Sequence, residues 1–278
     1  MRKIFLTALV MLISCECLLA QERELVWHDE FEVDGSVDSA KWNYERGFVR
    51  NHEYQWYQEE NAYVKDGILI LEGRLDSIVN PRYDSESRNW KHNRAYARYT
   101  SASINTRGKF SFRYGRLEVR ARIPAVVGSW PAIWTLGNDM PWPSNGEIDV
   151  MEYYHVNGEP TILANLAWGD DRANHAVWNS KRVPYSHFSD KDPYWNEKFH
   201  VWAMEWDEDD VRLYLDDELL NSQKVNEAKN GRIGNYTCPF SQPHYILLNL
   251  AIGGDNGGEP VADAFPMRYE VDYVRVYK

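Results

Sequence analysis

The chain has 278 residues and a formal net charge of −11, with 44% hydrophobic and 26% charged side chains. This is the balance of a folded protein of one or two domains, and twelve Pro with seventeen Gly exclude a low-complexity chain. The acidic charge excludes nucleic acid as a partner, because phosphate binding needs a basic face, and it counts more weakly against a polyanionic substrate.

The N-terminus reads as a targeting segment. Arg2 and Lys3 precede the apolar run from Ile4 to Ile13, which at about ten residues is too short to span a bilayer as a helix. Leu12-Ile13-Ser14-Cys15 then reads as a bacterial lipobox. On that reading Cys15 is acylated, becomes the mature N-terminus and anchors the protein in the outer membrane at the cell surface. The competing reading is cleavage after Ala20 and a secreted or periplasmic protein; Leu18 at the −3 position counts against it, since a small residue is usual there. Residues 1–20 are therefore set apart, and residues 24–278 are read as a single domain. Cys15 and Cys17 belong to the leader, which leaves Cys238 alone in the body, too few thiols for a disulfide framework or a Cys-rich metal site. Cys238 is expected to be an inert structural thiol.

From Glu24 onward short alternating segments recur between turn residues. Ile68 to Glu72 is a strand between Gly67 and Gly73. Residues 76–99 are polar and gather Arg82, Arg88, Lys91, Arg94 and Arg98, either as a solvated excursion or as the rim of a ligand site. Lys109 to Pro124 alternates with period two and predicts two strands. Phe199–Trp206 and Val211–Leu215 predict two more, with Asp207–Asp210 as their turn. A short, weak helical pattern covers Ser222–Lys229, and Tyr245–Ile252 and Tyr269–Tyr277 close the chain as strands. Many short strands at near-regular spacing predict an all-β sandwich or jelly roll. Twelve Trp and eighteen Tyr fit that class, and their flat faces also suit sugar rings.

Three acids share the segment Gly146-Glu147-Ile148-Asp149-Val150-Met151-Glu152-Tyr153-Tyr154. Glu147 and Asp149 alternate with Ile148 and Val150 and fall on one strand face. Regular alternation would put Glu152 on the other face. The extra apolar residue in Val150-Met151 predicts a β-bulge that returns Glu152 to the side of the other two. Two long side chains leaning together could then reach the roughly 5 Å separation of a retaining glycosidase pair. Read from the residues alone, catalysis is the leading reading, with a solvated polar face and a calcium site as the alternatives, although three acids facing one way repel each other.

With these residues on the page, Glu147-Ile148-Asp149-Val150-Met151-Glu152 resembles the bulged E-x-D-x-x-E signature of glycoside hydrolase family 16. Trp27–Phe31, Thr100–Ala102, Tyr114–Arg120, Gly128–Trp134, Asn249–Gly254 and Asp272–Tyr277 resemble its other strands in order, so the likeness spans about residues 25–278. The resemblance implies a β-jelly roll of two curved antiparallel sheets, with the glycan in a concave cleft. It implies Glu147 as nucleophile, Glu152 as general acid/base, and Asp149 as the group that hydrogen-bonds the nucleophile and tunes the pair. Trp130 and Trp134 are expected to stack on sugars. Asn51, Glu53, Arg74 and Asn249 are expected as polar contacts, and Tyr153 and His155 as further subsite contacts. A structural calcium is implied on Asp272, with the carbonyls of Glu30 and Gly67. No catalytic cofactor is implied.

The chain departs from one pattern. Many laminarinase-type relatives carry a His in a T-x-H-[YW]-G segment; here the corresponding stretch is Asn165-Leu166-Ala167-Trp168-Gly169, with Ala167 at that place. This opens the linkage preference without touching the acids. The expected function is a retaining endo-hydrolase of neutral β-glucan, mixed-linkage β-1,3/1,4-glucan first and laminarin next, acting as a monomer. The alternatives are a non-catalytic surface glycan binder, a hydrolase of a red-algal galactan such as agarose, porphyran or carrageenan, and a transglycosylase using the same acids.

Overall fold

The structure is a computed structural model and describes residues 23–278. The expected leader, with Cys15 and Cys17, lies outside the described residues. Seventeen strands are described: β1 (Leu25–Asp29), β2 (Asn43–Tyr44), β3 (Gln55–Tyr57), β4 (Ala62–Lys65), β5 (Ile68–Val79), β6 (Tyr96–Ser101), β7 (Ser103–Asn105), β8 (Gly115–Arg122), β9 (Ser129–Gly137), β10 (Glu147–Val156), β11 (Glu159–Gly169), β12 (Ala176–Pro184), β13 (His200–Trp206), β14 (Asp210–Leu215), β15 (Glu218–Lys224), β16 (His244–Ile252) and β17 (Met267–Tyr277). They form two sheets, as the all-β jelly roll requires. One runs β15-β14-β13-β8-β17-β5-β6-β3, with β1 on β17 and β4 on β5; the other runs β12-β11-β10-β9-β16-β7-β2. Pairing is antiparallel except between β3 and β6.

The core lies between the sheets. Leu117, Val119 and Ala121 of β8 and Trp202, Met204 and Trp206 of β13 meet Ile148, Val150 and Met151 of β10, Ile162, Ala164, Leu166 and Trp168 of β11, and Ile246, Leu248 and Leu250 of β16 in one buried cluster. Alternation in these strands, broken in β10 only at Val150-Met151, puts one face in that core and leaves the other free. On the free face of the seven-stranded sheet Ala132, Trp134, Tyr245 and Leu247, with Leu136 beside them, form a second small cluster. That face is the floor of a cleft.

Two local expectations change. Lys109–Tyr114 is not a strand and touches a sheet only through the Phe112–His244 bridge; its alternating residues fill the core edge, where Phe110 stacks on Trp27. Ser222–Lys229 is not a helix: β15 runs to Lys224, and Val225–Glu227 is one 3-10 turn. Pairing with β14 outweighs the weak helical propensity. Residues 76–99 are a hairpin excursion between β5 and β6. Cys238 packs against the core and donates its thiol to the Val225 carbonyl, a structural role.

Candidate active site

The cleft takes shape around β10. Gly146 precedes it with φ +79°, a left-handed turn where a Cβ would also sit 2.6 Å from Pro239; glycine lets the chain turn there and start the strand. Asp149 pairs with Asn165 and Glu152 with Leu163 on β11, so three steps on β10 match two on its neighbour. Against β9, Asp149 pairs with Trp134 and Met151 with Ile133, again one residue over. This is the bulge that the sequence predicts. It turns Val150 and Met151 both into the core, fully buried, at about 1.5–3 kcal/mol of hydrophobic stabilisation each. Without it Met151 would face the cleft and the Glu152 carboxylate would enter an apolar core, a large cost for an unpaired charge.

Glu147, Asp149 and Glu152 therefore line one cleft of about 690 Å³, together with Trp130, Trp134, Trp142, Tyr154, Asn165, Trp178, Arg182, Asn249 and the turn bearing Arg50, Asn51 and Glu53. Register places them as a grid. Glu147 pairs with Ala167, which pairs with Trp178 on the edge strand β12; Asp149 lines up with Asn165 and Ser180, and Glu152 with Leu163 and Arg182.

Each acid has its own surroundings. Trp142 donates its indole N–H to Glu147 Oε2 at 2.7 Å. Burial raises Glu147 above the usual carboxylate value, against the pull of that bond, the Asp149 carboxyl and the Arg50 charge. Asp149 is 2% exposed. Burial first, then the charges of Glu147 and Glu152, push it well above the usual carboxylate range. Its Oδ2 has no donor to accept from. A neutral Asp149 carboxyl carries a proton that it can donate to Glu147, which favours the ionised form of Glu147. Glu152 accepts from Trp130 Nε1 and Asn165 Nδ2, each at 2.8 Å. Burial and the Glu147 charge raise it to about 7 against the pull of those two donors. The arrangement is three buried carboxyls: Glu152 poised near neutrality, Asp149 held well above the usual carboxylate range, and Glu147 raised by burial but drawn down by three partners.

That reading of Asp149 is directly testable. An Asn at 149 still offers an N–H to Glu147, whereas Ala offers nothing. Asp149→Asn is expected to lose about tenfold in kcat/KM and Asp149→Ala about 100-fold or more. Equal losses in the two variants would mean that Asp149 works as an ionised group.

The remaining sequence-predicted residues divide. Trp130 and Trp134 line the cleft but are nearly buried, and each spends its indole N–H on a neighbour, Glu152 and Asn249 respectively. Asn249 also donates to Tyr57 Oη at 3.2 Å. Asn51 and Glu53 line the same cleft, and burial raises Glu53 to about 7 against the pull of Arg50. Arg74 does not reach the cleft: it sits on β5 in the other sheet and pairs with Glu72 at 2.7 Å. Tyr153 and His155 are also corrections. Once the bulge returns Glu152 to the cleft, period two puts Tyr154 there too and sends Tyr153 and His155 to the opposite side. Tyr153 is in the core and its hydroxyl meets His155 Nε2 at 3.1 Å, over a separate hollow with Tyr185.

Two of the expected calcium ligands have their side chains engaged in ion pairs. Asp272, the one charged member, is ion-paired with Arg120, and the Glu30 side chain is held by Arg275 at 2.8 Å through both oxygens. Gly67 is a left-handed turn residue between β4 and β5. Among the described residues no three His, Cys, Asp or Glu side chains gather to hold a metal.

Sequence reasoning missed Trp142, Tyr154, Asn165, Trp178 and Arg50. Tyr154 was recoverable from the bulge by parity, and Trp142 stands five positions before Glu147 between two prolines. Arg50 carried no local signal; its guanidinium lies 5.1 Å over the Trp134 ring and pairs with Glu45.

Comparison with known proteins agrees with this geometry. The family described as Glycosyl hydrolases family 16 matches residues 49–275. A beta-glucanase of Rhodothermus marinus is 36% identical, over 97% of this chain and 92% of its own length. A keratan-sulfate endo-1,4-beta-galactosidase of Sphingobacterium multivorum is 32% identical over 96% of this chain, which spans 58% of that protein. A solved structure described under endo-acting O-glycanases of the human gut microbiota that initiate mucin breakdown superposes with a TM-score of 0.81 at 33% identity, covering 94% of this chain and 92% of the other.

Proposed function

The chain belongs to glycosyl hydrolases family 16, and from that premise we propose that it is a retaining endo-hydrolase of neutral β-glucan. The observation that carries this is the bulge that brings Glu147, Asp149 and Glu152 to one cleft face of β10, with Glu152 raised to about 7. Glu147 attacks the anomeric carbon while Glu152 passes its proton to the departing glycosidic oxygen; the C–O bond breaks and a glycosyl ester forms on Glu147. Glu152, now ionised, takes a proton from water, whose oxygen attacks the same carbon and expels the Glu147 carboxylate. Two inversions retain the β configuration. None of these steps needs a cofactor. Endo-action follows from the cleft's extent, from the Arg50–Glu53 turn across to the edge strand β12, which lets a chain pass through rather than end.

A second reading is hydrolysis of a β-galactoside chain of the keratan or mucin type. Two observations favour it: Ala167 leaves the floor low between Glu147 and the half-exposed Trp178, and the superposition on the O-glycanase-described structure is close. One assay separates the readings. Mixed-linkage glucan, laminarin, agarose, keratan sulfate and mucin O-glycans are each incubated with the enzyme, and products are sized and their fresh anomer read by NMR. Short β-configured oligosaccharides from the glucans are expected. Release only from keratan or mucin would replace the first reading by the second, and α products would overturn the mechanism.

A further inference from the structure

Arg50, Asn51 and Glu53 form one wall of the cleft, and that wall is a turn rather than a sheet. Asn51 and His52 follow each other with φ of 54° and 49°. Two successive non-glycine residues in the left-handed region are strained and persist only where the surroundings hold them. What holds them comes from the excursion between β5 and β6. Arg94 Nη1 donates to the Glu53 carbonyl at 2.6 Å and Nη2 to the His52 carbonyl at 2.9 Å. The guanidinium lies 5.1 Å from the Trp90 ring, 5.3 Å from Phe48 and 5.7 Å from Tyr54, an aromatic cage that fixes its plane.

The arm carrying Arg94 is itself pinned. Buried Asn80 donates Nδ2 to the carbonyls of Lys91 and Arg94, both at 2.9 Å, and its backbone N–H bonds the Ala95 carbonyl at 2.9 Å. On the far side of the turn the Asp255 N–H bonds the Asn51 carbonyl at 2.9 Å, and its carboxylate meets His52 Nδ1 at 3.0 Å. The turn is clamped from both sides, with Arg94 gripping two consecutive carbonyls.

We propose that Arg94 is a positioning residue: it holds the strained Asn51–His52 turn so that Arg50, Asn51 and Glu53 meet the sugar chain. The proposal rests on the cleft being the substrate site. A planar guanidinium can bridge two carbonyls and stack on rings, whereas a lysine ammonium cannot do both. Steady-state kinetics of Arg94→Ala and Arg94→Lys on the best polysaccharide of the panel test it. Both variants are expected to raise KM about tenfold with kcat changed less than about threefold, because binding contacts are displaced while the acids stay in place. Lys is expected to rescue little. Asn80→Ala, which unpins the arm without altering Arg94, is expected to move KM the same way by a smaller factor, and decides the matter if the Arg94 variants do not fold. Melting temperatures are measured alongside. A lowered Tm with wild-type KM in all three variants would make the clamp structural only and overturn the proposal. Failure of the wild type on every polysaccharide would instead overturn the functional reading.

Discussion

Replacing Glu147 by Gln is expected to lower kcat by on the order of 10⁴-fold or more, the scale of loss when a catalytic nucleophile is removed. The substitution keeps shape and removes charge. Gln at 147 still offers an oxygen to the Trp142 indole, which reaches Glu147 Oε2 at 2.7 Å in the native site. It also removes the negative charge that, after burial, most strongly raises Asp149, so Asp149 is raised less and can accept an N–H from the new amide. The site stays satisfied, and Tm should stay within a few degrees of the wild type. Reducing-end release on the preferred polysaccharide together with thermal unfolding checks both halves. Activity within tenfold of wild type, in folded protein, would remove Glu147 from the mechanism.

The second large effect concerns Glu152. It must carry a proton at the start of the cycle and sits near 7. As pH rises through that value the proton is lost, and kcat/KM should fall about tenfold per unit above it. Trp130 and Asn165 both favour the ionised form. Removing the indole donor with Trp130→Phe should therefore raise Glu152 further and move the alkaline limb to higher pH. A limb moving down, or not at all, would detach it from Glu152. Glu152→Ala is expected to lose on the order of 10²–10⁴-fold on polysaccharide, whose leaving group needs the proton. It should lose far less on an aryl glycoside with an acidic phenol. With that substrate azide should restore turnover, because an anion needs no base to attack the glycosyl ester, and the product should be a β-glycosyl azide. An α azide, or no azide product, would argue against the double displacement.

The acid set was legible because its logic is local. Alternation fixes the face of Glu147 and Asp149, and the doubled apolar pair Val150-Met151 marks the only place where Glu152 can rejoin them. The same rule, carried two residues further, names Tyr154 rather than Tyr153 and His155. The miss there came from reading nearness to Glu152 in sequence as nearness to the cleft. Arg74 was misplaced for a different reason: β5 belongs to the other sheet, where Glu72 binds both Arg74 and Arg268, and sheet membership is not a property of five residues. Lys109–Tyr114 alternates as a strand does but meets a neighbour only at Phe112, since alternation reports a buried face and not a paired edge.

What the sequence by itself determined was the β class, the trio of acids on one face and the irregularity that unites it, all consequences of side-chain parity along single strands. What only the tertiary structure decided was the company those acids keep. The indoles of Trp130 and Trp142, the amide of Asn165, the low floor at Ala167 beside Trp178, and Arg94 gripping a turn some forty positions upstream all depend on how separate segments pair. Strand order and register are set by burial of the whole core, so no short window of the chain contains them.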